Sequence, residues 1–166
     1  KRKPIATLYR LAPNLSLTQL LSNITVSNGI AFSENENIMY FADTPTCRIQ
    51  KFEYTKNFNK FYELEANMIF KNVGEPDGAT VDKDNNYWSA RVRGKCIICV
   101  DTKDETIIEK ISLPTNTPTC VTFGGANLNS LYITSLRADP TSDNEGGNLH
   151  KIETSTQGRA QLLADI

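Results

Sequence analysis

Residues 28–43 read Asn28-Gly-Ile-Ala-Phe32-Ser-Glu-Asn-Glu-Asn-Ile-Met-Tyr40-Phe-Ala-Asp43. A short apolar run gives way to a polar stretch of Glu and Asn, then to a second apolar run with an aromatic near its start. Two short β-forming runs separated by turn residues specify an antiparallel hairpin. The pattern returns downstream as Asp77-Gly-Ala-Thr-Val81-Asp-Lys-Asp-Asn-Asn-Tyr87-Trp-Ser-Ala90 and as Thr119-Cys-Val-Thr-Phe123-Gly-Gly-Ala-Asn-Leu-Asn-Ser-Leu131-Tyr-Ile-Thr134. A further pair of apolar runs follows each hairpin: Arg48 to Tyr54 with Phe61 to Phe70, Lys95 to Asp101 with Thr106 to Leu113, and Asn148 to Ile152 with Arg159 to Leu163. The opening Thr7-Leu-Tyr-Arg-Leu11 and Leu17 to Leu21 make one more such pair, without its hairpin.

The hairpins begin 49 and 42 residues apart (28 to 77, 77 to 119), a spacing suited to propeller blades. Four short antiparallel strands bury little by themselves, so successive sheets must stack face to face around an axis. The expected fold is therefore all-β, a β-propeller of four-stranded antiparallel blades within a single domain. A half blade is expected over 1–22 and whole blades over about 23–71, 72–114 and 115–166. Three and a half blades cannot close a ring, and an open end would leave strand edges and an apolar sheet face in water. Further chain upstream is expected, in keeping with Lys rather than Met at position 1. No run of helical period competes, and the segment from Glu63 to Phe70 is read as a strand from its place in the repeat.

Composition closes off several classes of function. The 166 residues carry a formal net charge of −1, so no overall field draws the chain to nucleic acid or an anionic membrane. The Lys1-Arg2-Lys3 patch is too short to change that reading and is taken as a solvated chain end. No apolar stretch reaches the roughly 18 residues that span a bilayer, and no leader pattern opens the chain, so a cytoplasmic protein is expected. Without a leader, the glycosylation spellings at Asn14-Leu-Ser16 and Asn23-Ile-Thr25 carry little weight. Of the cysteines Cys47, Cys96, Cys99 and Cys120, the Cys96-Ile-Ile-Cys99 pair resembles a chelating motif in spelling only. It lies in an apolar strand, where residues three apart face opposite ways, and buried free thiols are expected.

Candidate chemistry sits where the innermost strands begin, at Asn28, Asp77 and Thr119. Val26-Ser-Asn28-Gly29 and Glu75-Pro-Asp77-Gly78 each offer a side-chain oxygen followed by Gly at the same repeat position. Repeat symmetry aims both oxygens at one axis, and convergent carboxylate and carboxamide oxygens suit a hard divalent cation. Plain turns remain the alternative, since Asx-Gly is a common turn sequence. Asp82-Lys-Asp84-Asn-Asn86 begins like a calcium loop but has Tyr87 where Gly is needed and Arg93 where the closing Glu belongs, leaving a strand-joining turn. His150 is the sole histidine, too little for a histidine-ligated zinc site or a Ser-His-Asp triad. Gly124-Gly125 reads as a turn between strands. Trp88 is expected in the core. Arg137 could reach the channel mouth and meet an anionic substrate, or simply lie on the surface.

Several of these stretches together resemble the senescence marker protein (regucalcin), gluconolactonase and luciferin-regenerating enzyme family. They are Asn28-Gly-Ile-Ala-Phe-Ser, Met39-Tyr-Phe-Ala-Asp-Thr, Glu75-Pro-Asp-Gly-Ala-Thr-Val-Asp, Tyr87-Trp-Ser-Ala, Cys120-Val-Thr-Phe-Gly-Gly, Leu131-Tyr-Ile-Thr-Ser and Gly146-Gly-Asn-Leu149. The resemblance runs in order from about Leu8 to the C-terminus. It implies a six-bladed propeller, of which this chain covers about three and a half blades, with one divalent metal ion (calcium, zinc, magnesium or manganese) in the channel. It also implies that Asn28 and Asp77 are metal ligands and that Asp77 is the catalytic base. The family's remaining ligand, a Glu of the first blade, has no counterpart in this sequence. The implied activity is metal-dependent hydrolysis of a small-molecule sugar lactone, with no nucleic-acid or membrane partner. The alternatives are a non-catalytic propeller scaffold or calcium-binding protein, or an inactive segment lacking that Glu.

Overall fold

The computed structural model describes residues 2–33, 37–55, 58, 60–137, 141 and 143–160. Its strands are β1 (Ala6–Leu11), β2 (Leu17–Ile24), β3 (Ser27–Ser33), β4 (Ile38–Asp43), β5 (Arg48–Tyr54), β6 (Phe61–Leu64) and β7 (Glu75–Val81), then β8 (Tyr87–Val92), β9 (Cys96–Asp101), β10 (Thr106–Ser112), β11 (Pro118–Gly124), β12 (Ser130–Ser135) and β13 (Leu149–Glu153). They form four sheets, β1-β2, β3-β4-β5-β6, β7-β8-β9-β10 and β11-β12-β13, each strand beside its neighbour in sequence. Every pairing is antiparallel. The only helical element among the described residues is a 3-10 turn at Thr44–Thr46. No helix among them is long and apolar enough to cross a membrane.

The sheets stack in chain order, and their first strands lie side by side: β7 packs between β3 and β11. This stacking explains why β4, β8 and β9 are buried nearly end to end instead of alternating. In β4, Met39 and Phe41 face the β1-β2 sheet, where Ile24, Leu8 and Leu21 meet them. Tyr40 points the other way, into a core shared with Val81, Tyr87, Ile98 and Val100 of the next sheet. In β8 and β9, Trp88, Ala90, Ile97 and Cys99 face onward to Val121, Phe123, Leu131 and Ile133. A strand covered on both faces has no polar side to show, and so reads as a continuous apolar run.

Two outer strands differ from expectation. The run from Phe61 to Phe70 is a strand only as far as Leu64. Residues 65–67 leave the ladder, the Asn67 amide donating to Glu105 (2.7 Å). The chain rejoins β5 through Ile49 N to Met68 O (2.9 Å) and an isolated bridge between Arg48 and Ile69. The detour inserts the fully buried Met68 side chain between sheets. The outer strand expected over Arg159 to Leu163 lies mostly outside the described residues. Before it, Gly158 bridges to Asp82, with a hypothetical Cβ overlapping the Phe123 ring.

Candidate metal site at the start of the inner strands

Asn28 and Asp77 occupy equivalent positions near the starts of β3 and β7, which pack against each other. A register shift follows Asn28, before Ala31, another spans Asp77, between Pro76 and Ala79, and β11 has its own between Pro118 and Cys120. A bulge re-aims side chains at the end of a strand, here at the same place in successive sheets. The glycines after the two Asx residues are seats for the next sheet. The Tyr87 hydroxyl rests on Gly29 and donates to its carbonyl (2.7 Å), leaving no room there for a Cβ. Gly78 is covered in the same way by Cys120 and the Thr119 carbonyl.

The loops leading into these strands are tied down by side chains from farther along the chain. Asp43, at the end of β4, accepts the amides of Thr25 (3.0 Å) and Val26 (2.7 Å). Asp143 does the same for the loop into β11, accepting from Asn116 N (2.7 Å) and the Thr115 hydroxyl (2.8 Å). Burial alone would raise the Asp143 pKa, but these and neighbouring hydrogen bonds outweigh it and hold the carboxyl below its ordinary range. Before β7 the role falls to Arg91, whose Nη2 donates to the carbonyls of Phe70 (2.8 Å) and Gly74 (2.6 Å). Arg91 is fully buried.

Asn28 and Asp77 are linked through Thr44. Asn28 Nδ2 donates to Thr44 Oγ1 (2.8 Å), and Thr44 Oγ1 donates to the carbonyl of Pro76 (2.8 Å), the residue before Asp77. Asp77 forms no ion pair among the described residues. Burial raises its pKa above the ordinary carboxylate value, opposed only by the Gly78 amide. A part-buried carboxylate with no ion pair among the described residues, and a carboxamide at the equivalent place of the adjoining strand, offer the oxygen donors that suit a hard divalent ion. Among the described residues no group of three or more His, Cys, Asp or Glu gathers around a metal position.

The other expected positions resolve as follows. Thr119 faces Thr134 across the sheet, hydroxyl to hydroxyl at 2.9 Å, while its neighbour Cys120 approaches Asp77. The Cys120 pKa is raised chiefly by burial, with a further push from the Asp77 carboxylate. Arg137 is exposed just beyond β12 and packs across Gly147, and no hydrogen bond or ion pair among the described residues joins it to Asn28 or Asp77. Cys96 and Cys99 are free, buried and on opposite faces, in different cores. Asp82 organises a turn by accepting from Asp84 N, Asn86 N and Trp88 Nε1, each at 2.9 Å, and Trp88 is core. His150 is half-buried in β13. A cavity of about 630 Å³ opens toward the other ends of β3 and β7, lined by Arg10, Ile30, Phe32, Tyr54, Val81 and Arg159 among others. It presents no carboxylate among its described lining residues. Thr44, Asp43, Arg91 and Asp143 were not marked by sequence reasoning. Only Asp43 and Thr44 carried a signal, as part of the Met39-Tyr-Phe-Ala-Asp-Thr stretch.

Residues 1–137 match the family model described as the SMP-30/gluconolactonase/LRE-like region. The pentonolactonase XacC of Haloferax volcanii is 27% identical over 96% of this chain and 58% of its own length. The 6-deoxy-6-sulfogluconolactonase of Pseudomonas putida is 33% identical over 75% of this chain and 43% of its own. Among solved structures, a calcium-binding protein, regucalcin, from Agrobacterium tumefaciens superposes with a TM-score of 0.87 at 23% identity, over 100% of this chain and 58% of that one. The chain thus spans a little over half the length of the first of these relatives and of the regucalcin structure.

Proposed function

This chain belongs to the SMP-30/gluconolactonase/LRE-like family, and on that premise we propose that it is the metal-holding part of a divalent-metal-dependent sugar-lactone hydrolase. The observation that carries this reading is the Asn28–Asp77 pair, a neutral amide oxygen and a part-buried, cation-free carboxylate at equivalent positions of adjoining strands. The complete protein is read as a six-bladed propeller in which upstream chain adds the rest of the ligand shell. The naming of relatives as pentonolactonase and 6-deoxy-6-sulfogluconolactonase supports a sugar lactone as substrate.

Asn28 Oδ1 and the Asp77 carboxylate would hold the ion. When bound, the ion supplies Lewis acidity that polarises an ester carbonyl. Asp77 acts as general base, its carboxylate taking the proton from the attacking water. With a cation bound, the Asp77 carboxylate would be a weaker base than the cation-free group, so its role needs a water made more acidic by the ion. Asn28 contributes an oxygen without charge, which leaves more of the ion's positive charge for the substrate. Arg137 is the candidate for an anionic substituent on the substrate. Calcium stands first among the four candidate ions because the regucalcin structure is described as calcium-binding.

The test is hydrolysis of glucono-δ-lactone by the purified protein, with chelator and with each divalent ion restored. Turnover that needs an ion and disappears in Asp77→Ala is the expected result. Ion binding without turnover of any sugar lactone would favour a calcium-binding scaffold instead.

A further inference from the structure

We propose that Thr44 is a positioning residue of the cation site, fixing which way the Asn28 amide faces and tying that amide to the backbone that carries Asp77. The inference deepens the proposed function and rests on it.

Thr44 opens the 3-10 turn after β4 and has one hydroxyl proton to give. Its Oγ1 lies 2.8 Å from the Pro76 carbonyl oxygen and 2.8 Å from Asn28 Nδ2. The Pro76 carbonyl can only accept, so the hydroxyl proton is committed to it. Thr44 Oγ1 then meets Asn28 purely as an acceptor, and the group that faces it must be the amide NH2. A carboxamide has two ends of nearly equal shape, and only the oxygen end ligates a hard cation. With Nδ2 held by Thr44, Oδ1 is turned to the other side, where it accepts no hydrogen bond among the described residues. A hydroxyl in this place does what a hydrogen-bond partner does for a metal-bound histidine: it selects the orientation of the ligand.

The same oxygen spans two sheets. Asn28 belongs to β3 and Pro76 to β7, so the contact fixes the amide of one ligand relative to the main chain one residue before the other. Thr44 itself is anchored: its amide donates to the Val26 carbonyl (3.1 Å), in the loop whose amides Asp43 accepts. Asn28, Thr44 and Pro76 thus form one relay whose only side-chain hydroxyl is Thr44.

The experiment titrates calcium, zinc, magnesium and manganese chlorides in turn into the full-length protein by calorimetry, for wild type, Thr44→Val and Thr44→Ser, with thermal melts in parallel. Loss of an outer hydrogen-bond partner typically weakens metal affinity by about 10- to 100-fold. That weakening is expected for Thr44→Val, with Thr44→Ser near wild type because it keeps the hydroxyl. A valine variant that melts lower but binds the ion as tightly as wild type would show a merely structural threonine and overturn the inference. If wild type binds none of the four ions, the functional reading fails and this inference with it. If wild type binds and Asp77→Ala does not, the functional reading stands whatever Thr44 does. Should Thr44→Val not fold, the Asn28 side-chain NH2 signals of wild type decide. One proton protected from exchange supports the relay, and two exchanging as in a free amide overturn it.

Discussion

Asp77 is a carboxylate partly withdrawn from water, with no ion pair among the described residues and a raised pKa. A raised folded-state pKa means the native chain binds the proton more tightly than the unfolded chain does. The charged form therefore weighs against folding at neutral pH, and the penalty fades as pH falls through that raised value. Without divalent ion, Asp77→Asn is expected to be more stable than wild type at pH 7, the gap narrowing toward the ordinary carboxylate range. With a saturating ion the order should reverse, because only wild type gains from binding. Urea denaturation at several pH values, with and without calcium, checks both. Asp143 has the opposite sign, since its lowered pKa stabilises above the ordinary carboxylate value and that stability is lost on acidification. Asp77 was legible in the sequence because Pro76-Asp77-Gly78 falls where Asn28-Gly29 falls one repeat earlier. Thr44 was not, because its partners lie 16 and 32 residues away and meet only after the sheets have stacked.

At the scale of the strand, the two-faced burial of β8 and β9 settles the cysteine question. Cys96 looks toward the preceding sheet and Cys99 toward the following one, and burial pushes both thiols up, suppressing the thiolate on which reactivity depends. Exposure decides the outcome: a thiol reagent applied to the native protein is expected to reach only the half-buried Cys47 and the exposed Cys120, whose own thiol is also pushed up, with Cys96 and Cys99 reacting after unfolding. Rapid native modification of Cys96 or Cys99 would contradict the stacking described. Strand pairing was readable from alternating runs and turn residues, as the hairpins at Asn28, Asp77 and Thr119 show. The break after Leu64 was not. Residues 61–70 look like one continuous run, and only the Glu105 carboxylate, 38 residues on in sequence from Asn67, reveals why the ladder is interrupted. The buried Arg91 escaped notice for a related reason: within Ala90-Arg91-Val92 nothing distinguishes it from an exposed strand residue, and its carbonyl partners come from the loop at Phe70 and Gly74.

Across the whole molecule, stacking brings equivalent positions of a sequence repeat side by side. β3, β7 and β11 lie side by side because each sheet begins with its inner strand, and the bulges after Asn28 and Pro76 repeat the same turn of the backbone. On its side away from β7, β3 leaves Ile30 and Phe32 partly exposed, beside a β1-β2 sheet of only two strands. The central claim is that Asn28 and Asp77 ligate one divalent ion. A crystal of the full-length protein grown with manganese tests it most directly, through the anomalous scattering of the metal. The account predicts one strong peak coordinated by Asn28 Oδ1 and the Asp77 carboxylate, and absent from Asp77→Asn crystals; a manganese peak held elsewhere, or one that survives that substitution unchanged, would contradict it.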